Sequence, residues 1–158
     1  MTRRKKILVI LGSGGHTAQM LKLMGLLGNK YEYEYVVHDD DTQSPRKVNG
    51  KVYTIVNPRV FADRVKLGKV LIGAIQSIRI LSQSKPDAIL SSGPGVTFLL
   101  FIFGKLVGVK CIYLESWSRA HSKSRSGLYC YFIADLFFVQ WPEMKKKYPK
   151  AVYAGRLS

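Results

Sequence analysis

The sequence predicts a single α/β domain in which a parallel sheet is covered by helices on both faces. Short apolar runs alternate with longer helical patterns over all 158 residues, as expected of repeated βα units. The runs are apolar throughout rather than alternating, which is typical of strands buried on both faces. Hydrophobic residues make up 47% and charged residues 22%, the balance of a folded chain. No repeat or linker divides it, so we interpret residues 1–158 as one Rossmann-like domain.

The elements follow from apolar runs separated by glycine or polar turns. The predicted strands are 7–11, 33–38, 52–56, 88–90, 110–114, 136–139 and 152–154, and the predicted helices are 17–27, 60–81, 96–107 and 127–134. Helical spacing places Met20, Leu21, Met24 and Leu27 on one side of the first helix. Pro86 ends the second helix pattern, and Pro142-Glu143 marks a further helix start. The helix 96–107 is apolar all round, which is typical of a buried helix, although a contact with a lipid monolayer or a partner is the alternative.

The predicted helix 60–81 has two contrasting sides. Its basic side is mixed with isoleucines, as in an interfacial helix that rests on anionic lipid, although such a mixture also suits a solvated surface. We therefore expect a membrane contact at Lys66, Lys69 and Arg79, with Ile72 and Ile80 among them. The apolar side comprises Leu67, Val70, Leu71, Ala74, Ile75, Ile78 and Leu81.

The net charge of +15, from 25 Lys and Arg against 10 Asp and Glu, predicts a polyanionic partner. Nucleic acid, anionic lipid headgroups and phosphorylated substrates all satisfy that condition. A nucleic-acid-binding protein is the alternative function, but it would interleave basic residues with exposed aromatic ones. Most aromatic residues here fall in strand or core-helix patterns, so no nucleic acid is expected. Examples are Tyr33, Phe98, Phe101 and Phe137.

The remaining composition bounds the location of the protein. Cys111 and Cys130 lie in apolar segments, so buried free thiols in a reduced compartment explain them better than a disulfide. The basic residues 3–6 precede an apolar run too short for a secretory signal. The most apolar run, residues 96–103, is far shorter than the roughly 20 residues that span a bilayer. We expect a peripheral protein on the cytoplasmic face of a membrane.

Three loops follow predicted strands, at the carboxyl edge where open parallel sheets bind ligands. The first is Gly12-Ser13-Gly14-Gly15-His16-Thr17 and the second is Ser91-Ser92-Gly93-Pro94-Gly95. Glycines let the backbone approach a ligand, and a helix N-terminus offers N–H groups to an anion. The two turns therefore predict two walls of one anion pocket, although each is also explained as a tight turn without a ligand. Neither matches the dinucleotide or P-loop pattern.

The third loop, Glu115-Ser116-Trp117-Ser118-Arg119, places a carboxylate at a strand end. Glu115 is a candidate general base, and the alternative is a structural pair with Arg119. Asp39, Asp40 and Asp41 follow the second strand, where we expect a solvated loop rather than a ribose site. The three histidines show no metal-ligand spacing, so no metal is expected.

These loops resemble a family of glycosyltransferase subunits. The Gly-Gly-His turn, the Ser-Gly-Pro-Gly turn and the run 113–119 are joined by two further motifs, residues 134–143 and 153–157. Together they are similar to the Alg-type oligosaccharide biosynthesis subunit, which assists addition of the second N-acetylglucosamine to dolichol diphosphate. Its bacterial relatives of the PssD and CpsF kind are equally similar, and the N-terminal half of MurG is a more distant likeness.

The resemblance implies the N-terminal half of a GT-B glycosyltransferase whose two halves are separate polypeptides. This half would bind a polyprenyl-diphosphate-linked sugar, while a small partner subunit supplies the domain that binds the UDP-sugar co-substrate, and no cofactor is needed. Glu115 and His16 are the candidate catalytic residues. The acceptor diphosphate would meet Gly14, Gly15, His16, Thr17, Ser92, Gly93, Gly95 and Arg119. Eukaryotic members begin with a transmembrane helix, and this chain departs from them there.

Overall fold

The computed structural model describes residues 3–12, 14–57, 59–60, 64–65 and 67–157. Its strands are β1 (Lys6–Ile10), β2 (Glu32–His38), β3 (Val52–Ile55), β4 (Arg59–Val60), β5 (Arg64–Val65), β6 (Ala88–Ser91), β7 (Lys110–Leu114), β8 (Leu136–Val139) and β9 (Val152–Tyr153). Its α-helices are α1 (Gly15–Leu27), α2 (Leu67–Ser84), α3 (Thr97–Leu106) and α4 (Arg125–Cys130). Short 3-10 turns occupy Gly28–Lys30, Ser44–Lys47 and Pro142–Lys146.

Seven strands form one sheet in the order β3-β2-β1-β6-β7-β8-β9, and every pairing in it is parallel. The chain builds outward from β1 to β3 and then returns to place β6 on the other side of β1. The two central strands end together, with Ile10 paired to Ser91. The carboxyl ends of β1 and β6 therefore frame the crevice in which open α/β sheets bind ligands.

Alternate residues of β1 pack into two separate cores. Leu8 and Ile10 belong to a cluster that also contains Phe101 of α3, whereas Ile7 and Val9 pack with a group that contains Met20 of α1. Because successive side chains of a strand point to opposite faces, the sheet carries a core on each side. The predicted Rossmann-like sheet with helices on both faces is confirmed.

The prediction that a helix runs over 60–81 is wrong at its start. The antiparallel strands β4 and β5 come first, in a segment whose β-branched residues Val60 and Val65 favour strand, and α2 begins only at Leu67. The helix packs through its small side, because a Cβ on Gly73 would lie 3.3 Å from Leu99 of α3. Ile80, expected on the basic side, is buried.

Four residues of the predicted apolar side of α2 are consequently exposed, whereas Leu81 is buried. Leu67, Leu71, Ile75 and Ile78 are 75%, 60%, 68% and 52% exposed, respectively, and we call these four residues the apolar stripe. Arg79 is exposed and Lys69 is half-buried, while Lys66 lies outside the described residues. The side of α2 with small residues packs against α3 because small residues allow two helices to approach closely. The larger apolar side chains of α2 therefore remain exposed.

Two other helices depart from their predicted form. Leu106 and Val107 at the end of α3 are exposed, so this helix is not buried all round. Helix α4 covers Arg125–Cys130 instead of 127–134, because the Ser124 hydroxyl accepts a hydrogen bond from Gly127 N and caps it. Cys111 and Cys130 are free and buried, as predicted, and burial raises the pKa of each thiol to about 12. Within the described residues, no helix is both long enough and apolar enough to cross a bilayer.

Candidate functional site

The first glycine turn lies at the centre of the crevice. Gly14 has φ +63°, a conformation that a side chain disfavours, and it precedes the first turn of α1, which no side chain caps. Thr17 is buried, and its hydroxyl donates to the Gly12 carbonyl and lies 2.8 Å from Ser44 Oγ. The Thr17 hydroxyl therefore holds the turn in place. The turn leads into the N-terminus of α1, whose N–H groups suit an anion.

The second glycine turn packs directly against the first. A Cβ on Gly12 would lie 2.9 Å from the Pro94 ring. Gly93 has φ +115°, and a Cβ there would lie 2.7 Å from the Tyr113 hydroxyl. Both positions need glycine for close approach, so the two turns lie side by side, while the prediction that they form two walls of one anion pocket stays a prediction.

His16 joins these two turns. Its Nδ1 lies 3.3 Å from Ser92 Oγ, and that hydroxyl also lies 3.3 Å from the His16 carbonyl. Ser92 is fully buried whereas His16 is half-buried. Ser92 therefore stands behind the imidazole and orients it, and His16 presents the ring to the crevice.

A cavity of about 400 Å³ opens in front of His16, and we call it the basic pocket. It brings together an imidazole, two guanidinium groups and several hydroxyls, which are the groups that bind phosphate oxygens. Its lining is His16, Gly93, Ser116, Ser118, Arg119, Ser124, Arg125 and Ser126.

The basic pocket gathers only some of the predicted diphosphate-binding residues. His16, Gly93 and Arg119 line it, whereas Gly14 and Thr17 line a different cavity of about 310 Å³. Ser92 lies behind His16, as described above, and neither Gly15 nor Gly95 belongs to the lining. Binding of a diphosphate at any of these positions stays a prediction.

Sequence reasoning missed the far wall of the basic pocket. Arg125 and Ser126 lie at the start of α4, and Ser124 is its cap. The available signal was the run 122–126, Ser-Lys-Ser-Arg-Ser, in which serines alternate with basic residues. This run lies just beyond the third predicted loop, which ended at Arg119.

The second cavity is polar and includes part of the acidic loop after β2. Asp39 and Asp40 are exposed, in agreement with the expectation of a solvated loop. Asp41 Oδ1 instead accepts hydrogen bonds from the Gln43 and Ser44 N–H groups. Burial alone would raise the pKa of Asp41, but these hydrogen bonds hold it below its ordinary value.

Glu115 follows β7 and is 1% exposed. Its Oε2 accepts hydrogen bonds from Ser124 N at 3.3 Å, Ser124 Oγ at 3.1 Å and the Tyr148 hydroxyl at 3.0 Å. Its Oε1 accepts one from Ser116 N at 3.0 Å. Within the described part of the chain no salt bridge joins Glu115 to Arg119, whose guanidinium donates to Ser122 Oγ.

Gly127 closes the space around this carboxylate. A Cβ there would lie 2.7 Å from both Ser124 Oγ and the Tyr148 hydroxyl, and closer still to Glu115 Oε2. We call Glu115, Ser124, Gly127 and Tyr148 the Glu115 cluster. Burial, reinforced by the charge of Glu115, raises the pKa of Tyr148 far above its ordinary value. Tyr148 therefore remains a protonated donor across the physiological pH range.

The fold and the crevice place the chain in a structural class. MurG from Acinetobacter baumannii superposes with a TM-score of 0.73 at 16% identity, covering 87% of this chain and 42% of that one. A UDP-GlcNAc 2-epimerase from Neisseria meningitidis superposes with a TM-score of 0.72 at 11% identity, covering 96% and 47%. The chain thus spans less than half of each structure, and its fold is the Rossmann-like N-terminal half of the GT-B type, as predicted.

Sequence comparison defines the family. The family model for "Oligosaccharide biosynthesis protein Alg14 like" matches residues 7–157, and the chain belongs to this family. The human relative, named UDP-N-acetylglucosamine transferase subunit ALG14, is 33% identical over 96% of this chain and 82% of its own length. The relative of the same name from Schizosaccharomyces pombe is 34% identical over 96% and 83%.

Proposed function

We propose that this protein is the acceptor-binding subunit of a two-component UDP-sugar glycosyltransferase. It would bind a polyprenyl- or dolichyl-diphosphate-linked sugar, and a small partner subunit would bring the UDP-N-acetylglucosamine or a related hexose donor. The single observation that carries this proposal is the basic pocket at the point where the strand order reverses. The names of the relatives support the reaction class.

The diphosphate of the acceptor fits the chemistry of the basic pocket. Arg119 and Arg125 supply fixed positive charge, and four serines supply hydroxyl donors. Charge-assisted hydrogen bonds of this kind are roughly twice as strong as neutral ones. A diphosphate also carries its charge close to the sugar that reacts, so the pocket would hold the acceptor hydroxyl near the His16 imidazole.

His16 is the better placed of the two catalytic candidates. An inverting transfer needs a base that takes the proton of the acceptor hydroxyl as the bond to the donor sugar forms. His16 lines the cavity, and its ring is oriented by Ser92. The general-base role of Glu115 stays a prediction, and the hydrogen bonds on its buried carboxylate lead us to a different proposal below.

The donor subunit would contact an apolar groove on the α1 face of the sheet. This groove measures about 420 Å³ and includes Leu26, Leu136, Phe138 and Leu157 in its lining. Leu26 and Leu136 are exposed, and interfaces between protein partners have an apolar centre of this kind. The groove lies on the face of the sheet opposite α2. With the donor subunit on that face, the exposed side of α2 would remain free to bind something else.

That other surface is a membrane. The apolar stripe of α2 supplies side chains that lipid would bury, and Arg79 and Lys69 supply positive charge for anionic headgroups. An amphipathic helix with basic residues beside its apolar side suits the plane of a bilayer interface. The acceptor has a lipid tail, so we propose that the protein works as a peripheral subunit on the cytoplasmic face.

A transferase assay with a polyprenyl-diphosphate-linked sugar and a panel of UDP-sugars tests this function. The protein is assayed alone, and then with the small glycosyltransferase subunit from the same organism. Activity in the mixture only is the expected result. Full activity of this chain alone would contradict the two-component proposal, and no activity in either sample, although the two chains associate, would refute the reaction class.

A further inference from the structure

The loop from 116 to 124 forms much of the basic pocket but contains no regular secondary structure. Ser116, Ser118 and Arg119 all line the pocket from this loop. Their side chains can bind an anion together only if the loop holds one conformation, because ordering it upon binding would cost free energy. Something in the fold must therefore fix this loop.

The Glu115 carboxylate contacts both ends of the loop at once. It accepts hydrogen bonds from Ser116 N at the beginning and from Ser124 N and Oγ at the end. The Tyr148 hydroxyl, from a segment after β8, supplies another donor to Oε2. One buried carboxylate thus closes the loop and ties it to a neighbouring part of the core.

The strand end that carries Glu115 is itself fixed. Its backbone N–H donates to the Phe138 carbonyl at 2.8 Å, and its carbonyl accepts a hydrogen bond from Gln140 Nε2 at 2.9 Å. The middle of the loop has separate supports, because Trp117 N donates to Gln19 Oε1 and Trp117 O accepts from Trp141 Nε1. Among the hydrogen bonds of the described residues, those to the Glu115 carboxylate join the two ends of the loop.

We propose that Glu115 is a positioning residue, whose carboxylate holds the loop 116–124 in the shape that binds the acceptor diphosphate. The inference rests on the proposed function of the basic pocket and adds to it a residue that touches no substrate. A residue with this role acts through Ser116, Arg119 and Ser124. Its loss weakens the binding of diphosphate, whereas the loss of a general base slows the chemical step and leaves binding intact.

Tyr148→Phe tests this role without removing the carboxylate. Tyr53→Phe is its matched control, because Tyr53 is also a buried tyrosine whose hydroxyl donates to a glutamate, Glu34, at 3.0 Å. Tyr53 lies in β3, and three strands separate β3 from β7 in the sheet. The two variants therefore lose the same kind of bond, one beside the loop and the other far from it.

Three readouts are compared for wild type, Glu115→Gln, Tyr148→Phe and Tyr53→Phe. They are inorganic pyrophosphate affinity by calorimetry, hydrogen exchange of the Ser116 and Ser124 amides, and the pH profile of kcat with the partner present. We expect Glu115→Gln and Tyr148→Phe to weaken pyrophosphate binding about tenfold and to speed exchange at these two amides. The acid limb of the pH profile should survive in both, and Tyr53→Phe should match wild type in all three readouts.

Two results would overturn the inference. One is exchange in Tyr148→Phe and Glu115→Gln that equals the wild-type rate. The other is Glu115→Gln with normal pyrophosphate affinity, a much lower kcat and no acid limb, which would make Glu115 the base. Failure of the wild-type protein to bind pyrophosphate would instead refute the proposed function of the pocket, while the exchange rates would still decide whether Glu115 holds the loop.

Discussion

Replacing Gly127 with alanine measures how tightly the Glu115 cluster is packed. An alanine in a helix is ordinarily more stable than glycine by about 0.5–1 kcal/mol, so propensity alone predicts a gain. The new Cβ would lie 2.7 Å from two oxygen atoms of the cluster, a distance that real Cβ contacts do not reach. The carboxylate and its donors must separate to admit it.

The cost of that separation exceeds the gain. Hydrogen bonds to a charged group contribute about 1.5–3 kcal/mol each, and Glu115 Oε2 accepts three of them. Loss of two of these bonds, at about 2 kcal/mol each, offset by a propensity gain of about 1 kcal/mol, gives a net destabilisation of about 3 kcal/mol. For a chain of this size that lowers Tm by roughly 6–12 °C.

Gly25→Ala is the matched control, since Gly25 also lies in a helix and nothing lies within 4 Å of a Cβ there. Thermal denaturation followed by circular dichroism should show a Tm unchanged or raised by roughly 2–4 °C for this variant. A Gly127→Ala protein as stable as wild type would show that the cluster adjusts freely, and the argument for Glu115 as a fixed anchor would be refuted.

Four further outcomes are expected. Arg119→Ala should weaken pyrophosphate binding about tenfold by calorimetry, and unchanged affinity would remove Arg119 from the anion site. Leu71→Ser with Ile75→Ser should reduce sedimentation with anionic liposomes while leaving association with the partner intact; equal liposome binding would place the membrane contact elsewhere. Leu136→Ser should leave liposome binding intact and weaken association with the partner, as measured by analytical ultracentrifugation. Wild-type association would exclude the apolar groove as the contact with the partner. Below about pH 5 the Tm should fall, because the hydrogen bonds that Glu34 accepts hold its folded-state pKa low against the effect of burial. The stabilisation by Glu34 is present above its unfolded pKa of about 4.3 and is lost as the pH falls through the lower folded value. Glu34→Gln should flatten this pH dependence of the Tm, and an unaltered slope would contradict the reasoning.

The sheet could be predicted because most strands are short, largely apolar runs between turn residues. Buried parallel strands need such runs, and β7 and β8 occupy the predicted residues. The orientation of α2 could not be predicted in the same way. Its spacing identified an apolar side, but which side packs was decided by the fit of Gly73 against Leu99, a tertiary contact that helical periodicity does not contain.

The candidate site likewise contains residues that could be predicted from the local sequence and residues that only tertiary contacts identify. The glycine turns were visible in the sequence because Gly14 and Gly93 need backbone conformations that other residues disfavour. The wall made by Ser124, Arg125 and Ser126 was missed, since alternating serines and basic residues also suit a solvated loop, and only the fold brings these residues opposite His16. Glu115 was recognised as important from its place at a strand end, yet its role depends on Tyr148, a residue distant in sequence that only the fold brings to it.

The most direct test of the central claim is a comparison of ligands that bind this chain without its partner. A polyprenyl-diphosphate-linked N-acetylglucosamine in nanodiscs and UDP-N-acetylglucosamine in solution would be titrated separately, with Arg119→Ala as the site control. The wild-type chain is expected to bind nanodiscs that carry the lipid-linked sugar more tightly than empty nanodiscs, and Arg119→Ala is expected to lose this excess. UDP-N-acetylglucosamine is expected not to bind measurably. Tight binding of the UDP-sugar with no preference for the loaded nanodiscs would place the donor site in this chain and refute its assignment as the acceptor-binding subunit.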